Sequence, residues 1–263
     1  MRWCRTRHAG REVYGIVEDE HVIPVDGDPF TGYTATDTRL ALADTALLPP
    51  VIPPTFYAVG YNYTGHNAKA AVRTGTPVAP KPERPEVGYR AQSALIGHGA
   101  TVVKPADCTG PFEAEAELVA VIGRDVRRCK SRDEAAESVF GWTIGNDVSA
   151  RTWQRGDRTL WRAKNSDTFK PMGPWIETEA EPLDGTTTVT LDGAKLAAFR
   201  TGAMIFDPYD YICEISRYIT LRAGDVLWMG SDAMVEMPAG HTLGIAITGI
   251  GTLANPVTEE SEA

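Results

Sequence analysis

Basic charge is in short supply in this chain. Its 263 residues carry 26 Lys and Arg against 35 Asp and Glu, a formal net charge of −9. A nucleic-acid surface needs a basic stripe to neutralise phosphates, so no nucleic-acid partner is expected. Long apolar runs are lacking too. None approaches the roughly 18 residues of a membrane helix, so no membrane partner is expected. The opening MRWCRTRHAGREVYG has no apolar stretch of the secretory kind. Cysteine is sparse, at positions 4, 108, 129 and 213, with no CxxC and no ligand-like spacing. That spacing signals neither a zinc cage nor a redox pair, and a cytoplasmic protein with reduced thiols is expected. No GxGxxG follows a strand, and there is no P-loop, repeat or low-complexity block.

What is present is an ordinary globular composition, 43% hydrophobic and 23% charged. The length suits one large domain, or a large one with a small one attached. Residues 1–46 read as short strands, with alternation in REVYGIVED and turn residues closing VIPVDGDPFTG. The proline-rich LLPPVIPPTF makes a boundary near 47–55, because residues before proline are pushed extended. TFYAVGYNY reads as a strand. The next stretch, TGHNAKAAVRTGTPVAPKPERP, begins with one helical turn and dissolves into Gly and Pro, a candidate lid. Residues 112–123 read as one strand. SRDEAAESVFGW reads as a helix opened by a Ser131–Glu134 capping box. A second helix is expected around 208–219. The last third is rich in β-type residues, and TEESEA (258–263) reads as a disordered tail. The whole predicts a β-dominated α+β fold, not a doubly wound sheet.

The stretch FEAEAELVAVIGR (112–124) carries most of the chemistry. In a strand, Glu113, Glu115 and Glu117 share one face, and Ala114, Ala116 and Leu118 the other. A solvated strand face accounts for such a pattern. Against that reading, LVAVIG is apolar on both faces, so the strand enters a core at once. Like charges two residues apart then repel more strongly as water is excluded. A divalent cation with a preference for oxygen, Mg²⁺ or Mn²⁺, removes that cost. It needs a third ligand, and Asp147 in WTIGNDVSAR follows an apolar strand among small polar residues.

The order AEAELVAVIG, GNDVSAR, AKNSDTFKPMGPW, MIF, TLRAGDV and GIGTLANPV resembles the fumarylacetoacetate hydrolase family over residues 55–257. Residues 1–46 resemble the small N-terminal β-rich domain of its members. The resemblance implies a mixed β-sandwich roll, a homodimer, and Mg²⁺ or Mn²⁺ held by Glu115, Glu117 and Asp147. It implies a 2-oxo acid or acylpyruvate substrate that chelates the metal as an enolate. Its members hydrolyse C–C bonds, hydrate or isomerise unsaturated 2-oxo diacids, or decarboxylate oxaloacetate. By the same resemblance Lys164 lies beside the metal and Gln154 contacts substrate. Arg151 is expected to pair with a nearby acid, and Glu113 to stand outside the metal set or face solvent.

Three departures matter. Members that activate water carry a His-x-x-Glu on a lid helix. Here His66 is in place, but the fourth position is Lys69, which cannot accept an imidazole N–H. Glu83 or Glu86 are the acids that a closing loop brings nearest. Ser231, in WMGSDAM, stands where a threonine meets the substrate carboxylate. The WMG-x-D form resembles a subgroup described as 2-hydroxyhepta-2,4-diene-1,7-dioate isomerases or hydratases. Arg90 stands in place of a common lysine and suits a substrate carboxylate bidentately. C–C hydrolysis is the leading expectation. The altered lid tilts towards isomerisation or decarboxylation, which need no activated water, and hydration stays a family alternative. A Schiff-base lyase using Lys164 or Lys170, and a non-catalytic 2-oxo acid binding protein, are the readings from other classes.

Overall fold

The computed structural model describes residues 1–261. Its largest sheet has thirteen strands among those residues. Ten form a continuous path: Gly32–Ala35, His21–Asp28, Arg11–Glu18, Arg2–His8, Lys170–Glu177, Val139–Asn146, Ala116–Ile122, Val226–Trp228, Phe56–Ala58 and Gly88–Tyr89. The N-terminal strands therefore join the rest of the molecule edge to edge, through Arg2 opposite Glu177 and Trp3 opposite Ile176. A five-stranded sheet follows the order Val102–Lys104, Gly251–Glu259, Thr242–Ile247, Thr186–Leu191 and Ala194–Arg200. A three-stranded sheet joins Ser149–Ala150, Phe112–Ala114 and Val235–Glu236. The fold is β-dominated, as the composition of the last third predicts. Among the described residues no helix is long and apolar enough to cross a membrane.

The strand Ala116–Ile122 is buried along its whole length because it separates two cores. Leu118, Ala120 and Ile122 pack into one with Ile144, Leu227 and Leu243. Val119 and Val121 pack into the other with Trp3, Phe56 and Trp228. Each large side chain buried in this way contributes about 1.5–3 kcal/mol, so a strand apolar on both faces is held from both sides.

Four local readings are corrected. The stretch 112–123 is two strands, since Phe112–Ala114 belongs to the small sheet and Ala116–Ile122 to the large one, with Glu115 at the break. Ser131 does cap a helix, accepting the Glu134 N–H at 3.2 Å. That helix, Arg132–Ala136, stops early because the aromatic and β-branched residues after it are taken into the sheet as Val139–Asn146. The lid segment holds a full helix, Thr64–Thr74, closed by Gly75 in the left-handed conformation at φ 66°. Thr258 and Glu259 pair with Val103 and Lys104 as strand rather than tail. Glu262 and Ala263 lie outside the described residues. The expected second helix is present as Pro208–Ser216, with an Asp207–Asp210 capping box and Pro208 in its first turn.

His98 ties the two large sheets. Its Nδ1 accepts the Ala254 N–H at 3.2 Å, beside the strand pair Lys170–Leu95. Burial lowers its pKa from the ordinary 6.5, against a backbone bond to Thr252 that raises it. The neutral ring thus contributes stability that is complete above the unfolded value and lost as pH falls through the lowered folded value. The urea midpoint should fall between about pH 7.5 and about pH 5.5, and His98→Gln should flatten that slope. An unchanged slope in the variant rules out the assignment.

Candidate active site

Strand register builds the centre. Ala116 lies opposite Asn146 and Glu117 opposite Gly145. Just beyond the last paired residues, the Asp147 N–H donates to Glu115 O at 3.0 Å, and the Glu115 N–H donates to Asn146 Oδ1 at 3.1 Å. On the other flank Val119 lies opposite Trp228, so Gly230 reaches Glu117 and its N–H donates to Oε2 at 2.8 Å. Carboxylate oxygens of Glu115, Glu117 and Asp147 all fall within 4.8 Å of one another, and all three residues are buried. The alternation that put Glu115 and Glu117 on one side holds up to the break, and Asp147 completes the group from the neighbouring strand end.

Four cations surround this centre. The Lys164 ammonium lies 2.6 Å from both Glu115 Oε2 and Asp147 Oδ2. Arg90 grips Asp147 bidentately, Nε to Oδ1 at 3.1 Å and Nη2 to Oδ2 at 2.9 Å. Lys170 Nζ is 2.7 Å from Asp147 Oδ1 and donates to Phe169 O at 2.8 Å. Arg151 Nη2 donates to Glu115 Oε1 at 2.6 Å, and its Nε donates to Glu113.

The electrostatics divide the three carboxyls. Burial pushes Glu115 upward, but Lys164 and then Arg151 outweigh it and hold the group at about 2. Asp147 is likewise held well below the usual range, because Arg90, Lys164 and Lys170 overcome its burial. Glu117 goes the other way: burial, then Asp147 and Glu115, push it well above the usual carboxylate range. Among the described residues no ion pair reaches Glu117. Burial also lowers Lys170 to about 8, with Asp147 opposing the shift.

Glu113 is not solvent-facing. It is buried and lies between Arg151 and Arg73, the latter donating through Nη1 at 3.0 and 3.1 Å. Arg73 sits on the helix Thr64–Thr74, the same helix that carries His66. A chain of charges therefore runs Arg73, Glu113, Arg151, Glu115, from the candidate lid to the buried centre. Arg151 does pair with acids, and it pairs with two. Its clamp and the enclosure of Lys170 left no mark in local spacing, because both contacts join distant segments.

His66 is buried, and its Nδ1 has no hydrogen-bond partner. Its ring meets Tyr61 edge-on at 5.9 Å. Burial lowers its pKa, opposed first by the Glu115 charge. Among the described residues no acid takes the place of the absent lid glutamate: Glu83 and Glu86 are exposed, and Glu86 sits with Tyr211. Lys69 points elsewhere, its ammonium donating to Asp232 O at 2.9 Å. Gln154 Oε1 accepts from Arg151 Nη1 at 3.0 Å, one step from Glu115. Ser231 is buried, and its hydroxyl closes a turn, donating to Ala233 O at 2.8 Å and accepting the Ala233 N–H at 3.1 Å. That hydroxyl is occupied by its own backbone.

Residues 55–258 match the family described as fumarylacetoacetate (FAA) hydrolase, C-terminal, and residues 1–50 match a family described as Rv2993c-like, N-terminal. The chain belongs to the fumarylacetoacetate hydrolase family. It is 38% identical over 239 residues to protein Rv2993c of Mycobacterium tuberculosis, covering 89% of this chain and 86% of that one. It is 32% identical over 289 residues to a 2,4-didehydro-3-deoxy-L-rhamnonate hydrolase of a Sphingomonas strain, covering 98% and 96%. Its fold superposes on a 5-carboxymethyl-2-hydroxymuconate delta-isomerase from Mycobacterium smegmatis with a TM-score of 0.87, at 33% identity, over 99% of this chain and 100% of that one. Fumarylacetoacetate hydrolase relatives thus include hydrolases and isomerases, and this chain is an enzyme of the family.

Proposed function

We propose that the enzyme acts on a 2-oxo acid of the acylpyruvate or unsaturated 2-oxo diacid type, using a divalent cation at Glu115, Glu117 and Asp147, and that it hydrolyses a C–C bond. The carrying observation is the convergence of three buried carboxyls within 4.8 Å, one of which, Glu117, has no ion-pair partner among the described residues. An all-oxygen donor set of this kind fits Mg²⁺ or Mn²⁺. Bound there, such an ion supplies Lewis-acid stabilisation of negative charge on substrate oxygens.

The chain's own groups supply the rest. Lys164 and Arg90, already facing Asp147, are placed to meet the anionic end of a 2-oxo acid. Gln154 stands beside Arg151 as a further polar contact. His66 is held neutral by burial, the state that accepts a proton from water. Lys170 keeps its ammonium on Asp147 and on two backbone carbonyls and is wholly enclosed, so it has no path to a ketone.

A second reading within the family, isomerisation or decarboxylation, is favoured by the partnerless Nδ1 of His66, since among the described residues no acid orients the ring for water activation, which neither reaction needs. A panel of acylpyruvates, oxaloacetate and unsaturated 2-oxo diacids, assayed with Mg²⁺ and with Mn²⁺, separates the two. His66→Ala should lower hydrolysis by about 10²–10⁴-fold with metal affinity unchanged. Full hydrolysis in that variant would falsify the water-activating role, and turnover confined to isomerisation would favour the second reading. A cytoplasmic homodimer belongs to the same proposal, and sedimentation velocity tests the dimer.

A further inference from the structure

Two cysteines that nothing in the sequence pairs meet in the fold. Cys213 lies on the helix Pro208–Ser216, and Cys129 lies in the turn before the Ser131 cap. Their sulfurs are 3.5 Å apart across 84 residues of chain. The contact is framed on both sides. The Cys129 N–H donates to Ser216 Oγ at 3.0 Å, and the Arg128 N–H donates to Ser216 O at 2.8 Å. Arg132 bridges from the turn to Asp207 and Asp210 at the start of the helix. Both thiols also approach the Ser131 carbonyl, at 3.2 Å for Cys129 and 3.5 Å for Cys213. Cys4 and Cys108 are buried, whereas Cys129 and Cys213 are only half-buried. The pair opens onto a surface cavity of about 540 Å³, walled also by Lys81, Pro85, Phe206 and Arg217.

Sulfurs this close need to approach by only about 1.5 Å to reach the bond length of a disulfide. We propose that Cys129 and Cys213 form a two-electron oxidation site, at which a hydroperoxide entering the cavity converts the facing thiols into an intramolecular disulfide. The site is separate from the carboxylate centre and independent of the reaction assigned to it.

Polarity sets the order of events. The Cys213 thiol donates toward Cys129 Sγ. Burial, then the bond to Cys129, push Cys213 up to about 12, so it remains the proton-carrying partner. Cys129 Sγ, the acceptor of that bond, is assigned as the attacking sulfur. Its thiolate attacks the terminal peroxide oxygen, forming an S–O bond as the O–O bond breaks. The alkoxide leaves and takes up a proton as the alcohol. Cys213 sulfur then attacks Cys129 sulfur, forming S–S as S–O breaks. The departing hydroxide leaves as water with the proton from Cys213. The thiols lose two electrons and two protons, and the peroxide is reduced to alcohol and water. Lys81, whose ammonium lies 5.6 Å from the Phe206 ring, belongs to the segment following the His66 helix. The new bond would close beside the seat of that segment.

The full chain, folded and reduced, is exposed to hydrogen peroxide, and the remaining thiols are then alkylated under denaturing conditions. The expected result is loss of two of the four thiols, a linked peptide joining Cys129 and Cys213, and recovery with dithiothreitol. The oxidised chain should also melt at a higher temperature, because the cross-link restricts the unfolded chain. In Cys213→Ser, dimedone should trap a sulfenic acid at Cys129. In Cys129→Ser, Cys213 should stay alkylatable. Four alkylatable thiols after exposure, oxidation confined to Cys4 or Cys108, or disulfides only between chains would each overturn the proposal. Peptide mapping of the unsubstituted chain decides the matter even where a variant fails to fold.

Discussion

Glu115→Ala and Glu117→Ala should each abolish tight binding of Mg²⁺ or Mn²⁺ and lower turnover by roughly 10³-fold or more, the several kcal/mol that a catalytic cation supplies. Isothermal titration with each metal, alongside the substrate panel, measures both effects. The two losses differ in origin. Glu115 lies between Lys164 and Arg151, so its removal leaves Lys164 paired with Asp147 and Arg151 with Glu113 but takes one buried carboxylate from each, and should also reduce stability. Among the described residues Glu117 has only the Gly230 N–H as a hydrogen-bond partner, and burial favours its neutral form, so Glu117→Gln should remove the ionisable ligand with little cost to folding. Glu113→Ala serves as the contrast. It should leave metal affinity near that of the unsubstituted chain, because Glu113 bonds to Arg151 and Arg73 and lies outside the converging set. Full metal affinity in both Glu115→Ala and Glu117→Ala would end the metal-centre proposal.

Gly145→Ala should disrupt the sheet beside the candidate site. A Cβ there would stand 2.6–2.7 Å from three atoms of the Trp228 ring. That ring is fully buried and packs on Phe56 at 4.9 Å, so it has no free direction in which to move. Overpacking of this kind costs about 1–3 kcal/mol, read as a lower urea midpoint. The strain also falls on the site. Asp147 lies two residues after Gly145, and Gly230, which holds Glu117, lies two residues after Trp228. Metal affinity should therefore drop together with the midpoint. A variant that melts normally and binds metal normally would show that the strand pair yields more easily than its packing indicates.

Some of this was legible in the chain itself. Alternation placed Glu115 and Glu117 on one side, and the apolar run after them announced burial, because both signals depend only on near neighbours along a strand. Asp147 was legible as an acid at the end of an apolar strand, and the ordered motifs carried the family. Ser131 and the helix near 208–219 were legible because caps and turns are local chemistry. The break at Glu115 was not, since two short strands and one long one share the same alternation. Only pairing with Val235–Glu236 on one side of the break, and with Val139–Asn146 and Val226–Trp228 on the other, separates them. The charge state of the centre was equally out of reach. Lys164, Arg151 and Arg90 meet their carboxylates across 17 to 57 residues of chain, and Cys129 meets Cys213 across 84. Local sequence thus determined which residue types stand on which face of an element. The tertiary structure decided which charges neutralise one another, because burial and long-range register set those distances.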